Sequence, residues 1–374
     1  LKMLKNAGIN AVRVPVTWYP HMEAKFSFST YENSIWHASK DDIGTMIQKA
    51  WMARVREVVD YVISQDMYCI LNVHHDTGAA NTAWLIADEG VYAQQRARFE
   101  AVWRQIAEEF KNYDHRLIFE GYNEMLDIKR SWCFASFAAP GQYDAGIARS
   151  AYNAINSYAQ SFVDAVRSTG GNNAQRNLIV STYGACDGSG TWNSHLKDPL
   201  KNLTLPKDIV SNHLIMEVHS YPDVKSLASV KKDVDERISA WKTHLLTKGA
   251  PLIVGEWGTS TEDAYTNYRS NMQQFYRYFI EQTKAAGITA FHWMGLTDGA
   301  DRSVPKFTQP DLLDAIIKGY YGEGGYTGIE NEVAEEECTA DVYSINGMCL
   351  YQNMKRSDIS SMLPKGIYIV DGRK

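Results

Sequence analysis

Seven short, almost unbroken apolar runs, each followed by a polar loop and then an amphipathic helical period, constrain this chain more than any other feature. They are AVRVPV (11–16), MYCILNVH (67–74), RLIFEGY (116–122), NLIVSTY (177–183), HLIMEVH (213–219), PLIVGEW (251–257) and GITAFHW (287–293). A strand apolar on both faces has to be covered on both faces, which parallel sheets wrapped by helices achieve. Trp51, Val55, Val58, Val59, Val62 and Ile63 fall on one face of a helix, as do Phe99, Val102, Trp103, Ile106 and Phe110. The same spacing recurs in Tyr152, Ile155, Tyr158, Phe162, Val163 and Val166, and in Tyr268, Met272, Phe275, Phe279 and Ile280. The pattern predicts an α/β fold, a (β/α)8 TIM barrel. Because LKMLKNAG reads as the second half of a helix, the first strand is expected upstream of Leu1. Without it the barrel is expected to stand open, with apolar edges exposed.

The barrel is expected to occupy 1–322, since GEGGYTGIENEVAEEE then turns Gly-rich and acidic, as a linker over 323–337 would. Residues 338–374 hold strand-like pieces, ADVYSI and GIYIVDG, between polar turns, which predicts a small β-structured tail.

A formal net charge of -6 without long Lys/Arg runs argues against nucleic acid or an anionic membrane as partner. No run of about 18 apolar residues is available to span a bilayer. The five cysteines, Cys69, Cys133, Cys186, Cys338 and Cys349, are widely spaced and lack a CxxC pair, so neither a disulfide framework nor a zinc ribbon is indicated. Ten Trp and 22 Tyr suit sugar stacking as well as core packing; Trp36, Trp84, Trp132 and Trp192 fall in loops where they would line a glycan cleft or pack over barrel edges.

Parallel barrels place their chemistry at the C-terminal ends of the strands. The polar residues there are His74, His75 and Asp76; Asn123 and Glu124; His219 and then Tyr221; Glu256; and the aromatic Trp293, with Arg13 inside the first run. Glu124 and Glu256 can face each other across the mouth, so that one attacks a sugar and the other protonates the departing oxygen. Arg13 beside one carboxylate would keep it charged, while the acid would sit in the drier place, which assigns attack to Glu256. Asn123 would bond a sugar 2-hydroxyl, and His219 and Tyr221 would orient the carboxylates. A metal site built from His74, His75, Asp76 and His219 is the rival arrangement, and it leaves both glutamates idle.

RVPV, NVHHD, FEGYNE, VHSY, GEWG and the Trp293 strand end occur in an order that resembles glycoside hydrolase family 5, the cellulase family, over residues 1 to about 322. The resemblance implies a retaining endo-β-1,4-glucanase without metal or organic cofactor. It assigns Glu124 as acid/base, Glu256 as nucleophile, Trp293 as sugar platform, and Arg13, His74, Asn123, His219 and Tyr221 as supporting residues. The expected partner is a polysaccharide: cellulose, mixed-linkage glucan or xyloglucan. Mannan or xylan hydrolysis, and a non-catalytic glycan-binding barrel, are the alternatives. The chain departs from many relatives in reading NEM rather than NEP at 123–125. The tail, YSINGMCLYQNMKR through LPKGIYIVDGRK, resembles the C-terminal sorting domain of type nine secretion substrates. That implies a secreted or cell-surface bacterial protein whose tail meets the export machinery; a monomer is expected.

Overall fold

The computed structural model describes residues 1–24, 31–32, 35–36, 43–131, 143–190, 194–297, 304–326, 339–344, 349–355 and 368–370. It divides into two compact units, Leu1–Gly325 and Tyr326–Lys374.

The larger unit is built on one parallel sheet of seven strands in chain order. These are β1 (Ala11–Val14), β2 (Tyr68–Asn72), β3 (Leu117–Glu120), β4 (Leu178–Ser181), β5 (Leu214–Ser220), β6 (Leu252–Trp257) and β7 (Thr289–His292). Each coincides with one of the seven apolar runs, β5 running one residue past it to Ser220, and together they curl into a nearly closed TIM-like barrel. Helices cover the outside: α1 (Lys2–Asn6), α2 (Lys49–Ile63), α3 (Glu89–Phe110), α4 (Ala145–Arg167), α5 (Leu227–His244), α6 (Arg269–Ala285) and α7 (Pro310–Tyr321). Several begin where a side chain takes up orphan backbone N–H groups: Asp88 accepts from Val91 N, and Asp144 from Gly146 N and Ile147 N.

Alternation along the strands separates two cores. Outward residues such as Leu71, Phe119, Val180, Val218 and Val254 join helix residues Val59, Trp103, Phe162 and Phe275 in the main one. Inward residues Ile70, Ile179 and Ile253 form a separate buried cluster, against which Ile118, Ile215 and Phe291 pack. β1 and β7 are the sheet's edges, and a cavity of about 520 Å³ beside them is lined by this layer together with residues of β1, β7 and the helices next to them. The Tyr321 hydroxyl at the end of α7 donates to the Gly8 carbonyl (2.9 Å), tying the last helix to the segment that leads into β1.

The loop after β1 holds two small antiparallel ladders, Met22–Ala24 with Ile43–Ile47 and Tyr31–Glu32 with Ile35–Trp36, which the apolar-run pattern does not reveal. The smaller unit is a three-stranded antiparallel sheet of β8 (Thr339–Ser344), β9 (Cys349–Lys355) and β10 (Tyr368–Val370), in the order β9-β8-β10. Val342 and Met354 are buried in it. No helix among the described residues is long and apolar enough to cross a membrane.

Candidate active site

Continuing inward along each strand, the position two residues past the isoleucine is polar or small: Asn72 after Ile70, Glu120 after Ile118, Ser181 after Ile179, Glu217 after Ile215 and Gly255 after Ile253. Arg13 from β1 reaches into this ring. Its Nε and Nη2 donate to the two oxygens of Glu120, both at 2.6 Å. Nη2 also donates to Asn123 Oδ1 and Nη1 to Glu256 Oε1, each at 2.7 Å. Burial disfavours the charged guanidinium, but Glu120, Glu217 and Glu256 outweigh it and hold Arg13 above its ordinary value.

Glu256 stands at the end of β6 just past a register shift against β5, where Val254 pairs with Val218 and Glu256 with His219. Gly255 is the extra residue, and a Cβ on it would fall on Glu217 Oε1. The close approach of carboxylate and backbone requires glycine there. Besides Arg13, Glu256 accepts from the Tyr221 hydroxyl at 2.7 Å. Glu124 follows β3 and meets His219 Nδ1 at 2.8 Å. One carboxylate oxygen each of Glu124 and Glu256 and a ring nitrogen of His219 lie within 4.8 Å of one another.

The two histidines of the mouth are in opposite states. Asn72 Oδ1 accepts from Val16 N (3.1 Å), so its Nδ2 is the donor that meets Glu120 Oε1 and His74 Nδ1, both at 3.0 Å. His74 therefore carries its proton on Nε2, which faces Glu256 Oε1 at 3.9 Å. Burial, with Arg13 nearby, pushes His74 down to about 2, so it is neutral. For His219, burial is outweighed by Glu256, Glu124 and Glu217, which raise it to about 10. Trp293 follows β7 and stacks on His74 with ring centroids 5.4 Å apart and an interplanar angle of 17°.

Arg13, His74, Asn123, Glu124, His219, Tyr221, Glu256 and Trp293 thus surround one opening. Two expectations need correcting. The acid candidate is not the drier carboxylate: the Glu124 side chain is 17% exposed and that of Glu256 5%. Asp76 does not join the histidines; buried, it accepts from Trp18 N, Tyr19 N and Trp84 Nε1, each at 2.7 Å, and anchors two loops. Trp84 is buried, which takes the packing alternative of the two left open for it, and His75 is exposed. Trp132, Trp192 and the Trp36 side chain lie outside the described residues. Met125, which follows the Asn123–Glu124 pair, is fully buried. Reading the strand ends from the apolar runs overlooks Glu120, Glu217, Asn72 and Ser181, because the runs continue past them to the mouth, although Asn72, Glu120 and Ser181 are the last residues of their strands. The repeated Ile-x-polar spacing was the signal that could have found them.

Comparison with known proteins gives a consistent set of matches. The family described as Cellulase (glycosyl hydrolase family 5) matches residues 1–296. Endoglucanase A of Clostridium longisporum is 28% identical over 329 residues, which is 85% of this chain and 56% of that protein. The chain therefore spans a little over half the length of that curated relative. Among solved structures, a GH5-4 broad specificity endoglucanase from an uncultured bacterium is 51% identical with a TM-score of 0.78, covering 86% of this chain and 84% of the other. A glycoside hydrolase family 5 enzyme from Prevotella bryantii, solved with a xyloglucan tetradecasaccharide, is 36% identical with a TM-score of 0.71 and covers 85% of each chain.

Proposed function

The chain belongs to glycosyl hydrolase family 5, the cellulase family, and from that premise we propose that it cleaves β-1,4-glucan chains internally by double displacement. The observation that carries this is the spacing of Glu124 and Glu256, whose oxygens come within 4.8 Å. Retaining glycosidases place their carboxyl groups roughly 5–5.5 Å apart, whereas inverting ones need about 6.5–9.5 Å to admit a water. Glu256, held by Arg13 and Tyr221, attacks the anomeric carbon as Glu124 passes a proton to the departing glycosidic oxygen. Glu124 then takes a proton from water, which attacks the same carbon and releases Glu256. Asn123 spends its oxygen on Arg13, leaving its amide nitrogen as donor to the sugar 2-hydroxyl. Trp293, stacked on His74, offers a face to a sugar ring.

The substrates proposed are cellulose, mixed-linkage glucan and xyloglucan; the xyloglucan complex of the Prevotella relative supports the last. We also propose that the residues of the smaller unit serve as a sorting-type tail for export through type nine machinery, so that the protein works outside the cell or at its surface, as a monomer. Its three-stranded antiparallel sheet supports a separate module.

Reducing-sugar release from carboxymethylcellulose, barley glucan, xyloglucan, xylan and mannan tests the reading, with Glu256→Ala as control and an EDTA arm. Activity on the glucans is expected, insensitive to EDTA and reduced on the order of 10⁴-fold or more in the variant. Xylan or mannan alone would keep the mechanism and replace the substrate. Loss of activity to EDTA would favour a metal site, and silence on every glycan would favour a binding protein.

A further inference from the structure

We propose that Glu120, too deep in the barrel to touch a sugar, is a positioning residue that fixes the Arg13 guanidinium against the nucleophile. The proposal rests on the hydrolase reading above.

Glu120 is fully buried. Its two oxygens take Nε and Nη2 of Arg13 as a fork, each at 2.6 Å. A bidentate pair fixes the plane of the guanidinium as well as its place. The remaining face of that plane is what the mouth uses: Nη1 meets Glu256 Oε1 and Nη2 meets Asn123 Oδ1, both at 2.7 Å. One rigid group therefore sets the attacking carboxylate and the amide that would face the 2-hydroxyl. A second line runs from the same carboxylate through Asn72 to His74 Nδ1, in 3.0 Å steps, and fixes which His74 nitrogen points at Glu256.

Glu217, the other buried carboxylate, does not share this task. Its Oε1 lies 3.5 Å from Arg13 Nε without a hydrogen bond, and Ser181 holds its other oxygen. Its Oε1 instead faces His219 Nε2 at 3.6 Å. Charge balance alone does not call for Glu120, because Arg13 already has Glu256 as counter-charge. Burying a further carboxylate beside it, in addition to Glu256 and Glu217, costs desolvation energy that apolar packing would avoid. What Glu120 adds is the fork.

The test uses the full chain with Glu120→Gln and Glu120→Asp, assayed on an activated aryl β-cellobioside. Each active site is counted by trapping with the 2-deoxy-2-fluoro analogue, whose fluorine slows turnover so that the glycosyl-enzyme accumulates. Gln presents one acceptor and one donor to the fork, so one bond is lost. Asp keeps the charge but withdraws it by about 1.5 Å, the length of one carbon–carbon bond. Misplacement on that scale predicts a kcat about 10- to 100-fold lower in both, with KM within about threefold. Trapping should reach one label per chain, slowed by the same factor. If kcat stays within about twofold in the folded variants, or if the loss falls on KM or on the number of sites labelled, Glu120 is structural only and the proposal fails. Should Glu120→Gln not fold, Glu120→Asp decides, since it keeps a carboxylate at that buried position. A wild-type chain silent on every glycan would sink the hydrolase reading and this proposal with it; an active wild type separates the two.

Discussion

Two successive rings of inward side chains, one pleat apart on the same five strands, do opposite work. Ile70, Ile118, Ile179, Ile215 and Ile253 contribute apolar contact. Two residues further on, about 6.6 Å along each strand, Glu120 and Glu217 flank Arg13, while Asn72 meets Glu120 and Ser181 and Gly255 lie against Glu217. The isoleucine ring tolerates any filler of the right volume, because dispersion and the hydrophobic effect have little direction. The polar ring does not, since each buried donor or acceptor left without its partner is costly. A barrel can thus divide stability from chemistry within two residues of one strand.

The division can be broken first by Ile179→Ala. It should lower unfolding free energy by about 2–5 kcal/mol in urea denaturation, with kcat at room temperature within about threefold of the parent; a large kcat loss would mean that the rings are not separable. Gly255→Ala crosses from one ring to the other, because its methyl would fall on the Glu217 carboxylate. About 1–3 kcal/mol of stability should go, and with it at least about tenfold in kcat, since Glu256 is the next residue. Kinetics that match the parent's would place Gly255 in the packing class.

A third effect is in pH. His219 is raised from an ordinary 6.5 to about 10, so the folded state binds that proton more tightly. Its stabilisation is complete below pH 6.5 and is lost as pH rises towards 10. His74, lowered from 6.5 to about 2, has the reverse effect: the unfolded chain takes a proton the folded one refuses, and stability falls as pH drops below 6.5. Urea midpoints from pH 5 to pH 9 should therefore decline more shallowly on the alkaline side in His219→Gln and on the acid side in His74→Gln. Unchanged slopes would remove these two histidines from the pH response.

The strands were legible because a strand buried on both faces leaves an apolar run, and all seven runs hold one. The mouth was legible because Glu124, His219 and Glu256 interrupt or end those runs at a fixed place. Glu120 and Glu217 were not, since a single acidic residue inside LIFEG or IMEVH looks like a defect in an apolar stretch until Arg13 is brought across from β1, more than a hundred residues earlier in the chain. Asp76 enters the rival metal set on its place in NVHHD alone, because its partners Trp18 and Tyr19 lie far away in sequence. Nor does the acid sit in the drier place: the Glu124 side chain is 17% exposed and that of Glu256 5%, a difference that strand ends in a sequence do not encode.

The most direct test of double displacement is the anomer formed first. A cello-oligosaccharide hydrolysed in an NMR tube should show the β-anomer proton of the new reducing end before mutarotation brings in the α form, as two inversions at Glu256 require. Appearance of the α-anomer first would mean a single displacement by water, and would contradict the roles assigned to Glu124 and Glu256.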